Sequence, residues 1–375
     1  MTENASVVAI AEPSRVQVSQ IDKQLKTIWS SQEGATRAST FNLLVYESEL
    51  QDPNSIGEAI GAIAVQHPCR AIALLASTDG PKDNLEAYVA AYCPVSEGGG
   101  RESICCEYIT LRASGKALDE LDTTAAALLL PELETFLWWK GPLNIHLELF
   151  TNLQHIVDRT VVDSSLFEEP EKALESYTSL ALGQEKNRSF GDLNWSRLTP
   201  WREETAVAFD SESRAACLGA LDRVIIEYGQ SEGIPLNPCQ AYLFLGWLAS
   251  RLGWQPLSLH NKDLTKQIIM RDSTQRPIQV TVRAVAGEAH LAGQITSVGL
   301  RSEEMGAACS TVLCSSDSSS CIRMQMNMGE ATLSLVSDID TLTTEQLLSE
   351  ALRTPDRDPI YEESLEVIHD LMQLK

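Results

Sequence analysis

The sequence is poor in the residue patterns from which catalytic sites are built. It has no Gly-x-x-x-x-Gly-Lys-Ser/Thr run to cradle a phosphate chain and no Gly-x-Gly-x-x-Gly after a strand. Histidine is scarce, with 6 residues in 375 and no His-Glu-x-x-His helix, and no Cys-x-x-Cys pair offers a zinc knuckle. Gly98, Gly99 and Gly100 precede a strand, so the helix N-terminus that would attract phosphate is missing beside them. His67, next to Pro68 at a helix end, reads as structural. The expectation is a chain with no catalytic centre, no metal site and no cofactor, although a triad assembled from distant residues leaves no local signature.

Positive charge is also in short supply. Lys and Arg number 29 against 52 Asp and Glu, a formal charge of -23, which repels phosphate backbones and anionic lipid and makes nucleic acid and membrane surfaces poor partners. No apolar run approaches the ~20 residues that cross a bilayer, and the N-terminus lacks the basic region of a secretory signal. The 9 cysteines are odd in number and scattered, unlike a secreted disulfide framework, so the expected compartment is the reducing cytoplasm. What is present is ordinary globular material, 43% apolar and 22% charged, in a length that suits two domains of roughly 100–200 residues.

Periodicity divides the chain into three parts. Residues 1–35 form an N-terminal extension whose Ile21, Leu25, Ile28 and Trp29 repeat on one helical face. Residues 36–190 read as a three-layer α/β domain with a mostly parallel sheet. Its strands are FNLLVY from Phe41, AIALLA from Ala71, ICCEYITL from Ile104, FLWWK ending at Lys140 and TVVDSS from Thr160; its helices span Ile56 to Val65 and Leu118 to Leu130. Residues 191–375 read as an α+β domain with an antiparallel sheet. There Asn237, Pro238 and Gln240 start an apolar helix that Gly253 stops, a meander follows between Gln267 and Met328, and Asp358 with Pro359 starts a closing helix carrying Tyr361, Leu365, Ile368 and Met372.

One segment, DLNWSRLTPWRE from Asp192, concentrates two tryptophans, two arginines and a proline at the expected domain junction. Thr199 and Pro200 suit a helix start, and Leu198, Trp201, Ala208 and Phe209 share a face. Trp195, Arg197, Trp201 and Arg202 can fill a seam or present a binding patch, Trp and Arg being the types most enriched at interface hot spots. Together with PELETFLWWKGP, HIVDRTVVDSS, VIIEYG and RDPIYEESLE, this segment resembles the OpcA family, assembly and activator proteins of glucose-6-phosphate dehydrogenase. The resemblance runs from about residue 40 to the C-terminus. It implies a non-enzymatic allosteric partner of that dehydrogenase in the oxidative pentose phosphate pathway, with those four residues at the interface.

Cys309, Cys314 and Cys321 lie in CSTVLCSSDSSSC, which reads as two strands and a polar hairpin loop. If the hairpin is symmetric about Asp317 and Ser318, Cys314 and Cys321 face each other within disulfide range, with Cys309 on the opposite face. Three ordinary thiols are the alternative. The resemblance favours a redox switch at Cys314 and Cys321, with thioredoxin as reductant. A different class remains open, a sugar-phosphate-binding α/β enzyme using Arg197, Arg202 or Lys140 as anion ligands.

Overall fold

Two sheets organise the chain, each the core of its own unit. In the computed structural model the described residues are 7–30, 35–37, 39–47, 60–61, 63, 67–77, 83–94, 103–183, 188–262, 264–303, 306–316, 319–328, 331–339, 342–353 and 357–374. The first unit comprises Met1–Asp163, Glu185–Leu193 and Leu342–Asp356; the second comprises Ser164–Gln184, Asn194–Thr341 and Arg357–Lys375. The boundaries therefore differ from a single division near residue 190: the Pro170–Gly183 helix falls in the second unit and the Thr344–Arg353 helix in the first.

The first unit holds β1 (Val7–Val16), β2 (Ala35–Arg37), β3 (Phe41–Glu47), β4 (Cys69–Ser77), β5 (Asn84–Pro94), β6 (Ser103–Ser114), β7 (Thr135–Lys140), β8 (Arg159–Val162) and β9 (Ser189–Asp192). Their order is β1-β5-β6-β4-β3-β7-β8-β9, with β2 beside β6. From β6 to β9 every neighbouring pair is parallel, and β5 pairs antiparallel with β1 and β6. The continuous apolar runs of β3, β4 and β7 are buried almost throughout, as expected for strands covered on both faces. The Thr344–Arg353 helix adds Leu347, Leu348 and Leu352 to this core.

Several polar groups buried here are matched by partners. Arg70 donates from Nε to Glu107 at 2.7 Å and from Nη1 to Leu128 O at 2.8 Å, while Trp29 of the Ile21–Ser30 helix donates to Glu107 at 2.9 Å. Asn42 bonds both the N–H and the carbonyl of Leu130. Those bonds engage the backbone at Leu128 and Leu130, so the helix expected to reach Leu130 is only Leu121–Ala126, preceded by a 3-10 turn. Most of the helix expected from Ile56 to Val65 lies outside the described residues, as does the Gly98–Gly100 loop; Ile60 and Ile63 are helical and buried.

The second unit holds β10 (Arg223–Gln230), β11 (Gln255–Lys262), β12 (Thr265–Arg271), β13 (Pro277–Ala286), β14 (Ile295–Ser302), β15 (Gly306–Ser316), β16 (Ser319–Met328) and β17 (Ala331–Asp338), ordered β11-β12-β13-β10-β14-β15-β16-β17. All pairs are antiparallel except β10 with β13, which places β10 inside the sheet. The Cys239–Leu252 helix is buried nearly all round and stops at Gly253, whose φ of 65° is the left-handed cap glycine favours. Asn237 Oδ1 accepts from Cys239 N, but Gln240 does not reach back to the helix start. It bridges Asn194 and the N–H of Ile295 instead. The Pro359–Met372 helix begins as anticipated, with Asp358 Oδ1 accepting from the N–H groups of Ile360 and Tyr361.

Candidate partner interface and thiol centre

The tryptophan and arginine segment forms two short helices, Leu193–Arg197 and Thr199–Val207, which belong to the second unit from Asn194 onward. Pro200 occupies the first turn, while Thr199 accepts from Arg202 Nη2 at 3.0 Å rather than capping the helix. Leu198, Trp201, Ala208 and Phe209 are buried together. Trp195 is only 5% exposed and Trp201 6%, so neither indole is available as a surface anchor.

Trp195 is held on three sides. Its Nε1 donates to Asp358 Oδ2 at 3.0 Å, its ring lies 5.2 Å from that of Tyr361, and the Arg202 guanidinium stacks 3.8 Å above it. That cation–π contact compensates a charge that is largely desolvated. Burial draws the Arg202 pKa down to about 10, opposed by the carboxylates of Asp358 and Glu203. Tyr361 in turn donates to Tyr177 at 3.0 Å. Arg197 is half-buried and donates to Ser165 at 3.4 Å, next to Leu166, which is 46% exposed. Of the four residues singled out, the arginines Arg197 and Arg202 are half-buried and the tryptophans buried. Lys140 belongs to the first unit, where it pairs with Glu47 at 3.2 Å, and is not part of this cluster.

The cysteines depart from the expected hairpin. Cys314 lies opposite Arg323, and the register shifts between Ser315 and Ser316, so that the symmetric alignment holds only where Ser316 meets Ser319. Cys321 therefore sits two residues along β16 from the position facing Cys314, and no bridge joins them. A disulfide links Cys309 to Cys217 across a Cα separation of 5.5 Å, fastening the Glu212–Leu218 helix to β15. Alternation along β15 explains the choice: Cys309, Thr311 and Leu313 are buried, whereas Cys314 is half-buried on the other face. The facing of Cys309 was legible, but its partner 92 residues away was not. Burial pushes the Cys314 thiol pKa up, against the pull of Arg323. Cys106 is buried, and the Cys105 side chain lies outside the described residues.

Among the described residues no three His, Cys, Asp or Glu side chains are grouped to hold a metal ion, and no helix is long and apolar enough to cross a membrane. Fold and site thus define a two-unit α/β protein whose most distinctive residues, Trp195, Arg202 and Asp358, form a packed cluster at helix ends.

Family models match most of the chain, the glucose-6-phosphate dehydrogenase subunit N-terminal domain over residues 61–179 and its C-terminal counterpart over 188–365. The chain belongs to the OpcA family of glucose-6-phosphate dehydrogenase assembly proteins. The OxPP cycle protein OpcA of Nostoc punctiforme is 38% identical over 320 residues, 83% of this chain and 67% of its own. That of Synechocystis is 35% identical over 330 residues, 86% of this chain and 67% of its own. Among solved structures, the 3-ketoreductase KijD10 of Actinomadura kijaniata covers 89% of this chain and 96% of its own at 9% identity and a TM-score of 0.48, a likeness that says nothing about chemistry.

Proposed function

We propose that this chain is a non-enzymatic allosteric activator and assembly partner of glucose-6-phosphate dehydrogenase, acting in the cytoplasm to support the oxidative pentose phosphate pathway. The observation that carries the reading is the match of both domain models of the assembly family, in order, along one chain. An activator needs only to bind the active state of its partner more tightly: a hundredfold preference corresponds to ~2.7 kcal/mol of coupling. The cations that an enzyme acting on a sugar phosphate would use are engaged elsewhere, Lys140 with Glu47, Arg202 with Trp195 and Thr199, and Arg197 with Ser165. In this reading Trp195, Trp201 and Arg202 support the interface from beneath, and Arg197 touches the partner.

Redox control fits the Cys217–Cys309 bridge better than the Cys314 and Cys321 pair, because a cytosolic disulfide is most often catalytic or redox-sensing. A thioredoxin dithiol would reduce the bridge to two thiols and leave with its own disulfide. Both cysteines are buried, so the Glu212–Leu218 helix has to lift for the exchange to occur.

The test is to mix the purified chain with the matching dehydrogenase and follow rate against glucose 6-phosphate, with and without thioredoxin. The expected result is a stable complex with lowered half-saturation, strongest when the bridge is oxidised. Absence of a complex overturns the assignment. A Cys217→Ser, Cys309→Ser variant that still responds to thioredoxin overturns the redox part alone.

A further inference from the structure

The helices of the second unit cover one face of its sheet, where Val224, Ile226, Val280, Val282, Val298 and Leu300 are buried. The opposite face carries exposed Lys262, Gln267, Gln279, Arg283, Arg301 and Arg323 around half-buried Ile225, Ile269 and Val312. Strand register lines up a single row on it across all eight strands, from Lys262 through Arg283, Glu227 and Cys314 to Arg323 and Val336. Two rows further along, Arg223 stands directly opposite Arg301, and Arg271 extends the same face of β12.

Charge on this face runs against the rest of the chain. Six cations, Lys262, Arg271, Arg283, Arg223, Arg301 and Arg323, stand against Glu227, with Glu303 and Asp338 at the margins, in a protein of formal charge -23. Glu227 pairs with Arg283 and Glu303 with Arg223. Arg301 and Arg323 are exposed and make no ion pair among the described residues. Like charges opposed across strands are destabilising, so the Arg223 and Arg301 pairing is a local cost that an anionic group laid over it would relieve. Arg223 Nε is in addition buried without a hydrogen-bond partner.

We propose that this basic sheet face docks an acidic surface of a partner protein, which on the reading above is the dehydrogenase. Eight strands at about 4.8 Å spacing and eight residues at about 3.3 Å rise give a face of roughly 34 by 26 Å, close to the ~800 Å² that a stable complex buries on each side. A second copy of the chain is a poor occupant, since two-fold packing of the face on itself would set arginine against arginine. Nucleic acid is disfavoured by the net negative charge.

The proposal is tested with full-length Arg301→Glu, Arg323→Glu protein, whose fold is checked by circular dichroism and thermal melting, and with Lys23→Glu, Lys26→Glu as an equal change of charge on the Ile21–Ser30 helix. Binding to the dehydrogenase is measured by calorimetry between 50 and 300 mM salt (salt levels on the order of those that span the screening range). The expected result is ~30-fold weaker binding and a shallower salt dependence for the arginine variant alone. Arginine-variant binding equal to wild type overturns the proposal. If wild type does not bind the dehydrogenase, the functional assignment fails instead, and poly-L-glutamate at low salt then reads the face: equal retention of wild type and arginine variant overturns it, selective loss supports it. Tighter, arginine-dependent binding of a DNA duplex than of poly-L-glutamate would reject a protein occupant.

Discussion

Asp358 carries two duties with its two carboxylate oxygens: Oδ1 caps the closing helix at Ile360 and Tyr361, and Oδ2 accepts from the Trp195 indole. The cap was readable from Asp-Pro in the sequence, and the indole bond was not, because it joins residues 163 apart. Replacing Asp358 with Ala removes a cap worth about 1 kcal/mol and leaves a buried N–H unmatched at about 1–3 kcal/mol. Urea unfolding should show a loss of roughly 2–4 kcal/mol, with Asn recovering part of it. A second carboxylate gives a pH dependence. Asp272 accepts from Thr274 N, Thr274 Oγ1, Arg276 N and Arg276 Nε in the β12–β13 turn, and these bonds hold its pKa down at about 2, the Thr274 hydroxyl foremost. A carboxylate depressed on folding contributes stability above its unfolded pKa of about 4 and loses it as pH falls toward 2. Urea midpoints should therefore fall between about pH 4 and 2, and Asp272→Asn should flatten that part of the curve.

Among the elements, helices with caps and strands with continuous apolar runs matched their sequence signals, as the Cys239–Leu252 and Pro359–Met372 helices and β3 and β4 show. β1, β5 and β17 were not anticipated. They complete sheets whose other strands supply the hydrogen-bonding partners, so their own patterning is weak. The Cys239–Leu252 and Pro359–Met372 helices meet at Gly246, where an added Cβ would lie 2.6 Å from Ser364 O and 2.9 Å from Ile368 Cγ1. A backbone oxygen cannot step aside as a side chain can. Gly246→Ala should destabilise by about 1–3 kcal/mol despite alanine's better helix propensity, seen as a lowered melting temperature with unchanged circular dichroism at low temperature. An unchanged melting temperature would mean that the helices part easily.

At the scale of the whole chain, the Cys217–Cys309 bridge closes a loop of 92 residues within the second unit. Loop closure of that length restricts the unfolded chain by an amount worth about 2–5 kcal/mol. Reductant should lower the urea midpoint of wild type but not of Cys217→Ser, Cys309→Ser, and the measurement separates a structural bridge from a reporter of redox state. The sequence by itself determined the acidic balance, the periodic elements, their caps and the family resemblance carried by the Trp195–Arg202 segment, since each is written in neighbouring residues. Tertiary structure decided the rest. It turned Trp195 inward onto Asp358 and Arg202, joined Cys309 to Cys217 while leaving Cys314 and Cys321 as thiols, and gathered scattered arginines into one basic sheet face. Alternation tells which side of its own strand a residue takes, but only the register between strands brings distant residues together, and a shift of two positions on β16 between Ser315 and Ser316 was enough to separate Cys314 from Cys321.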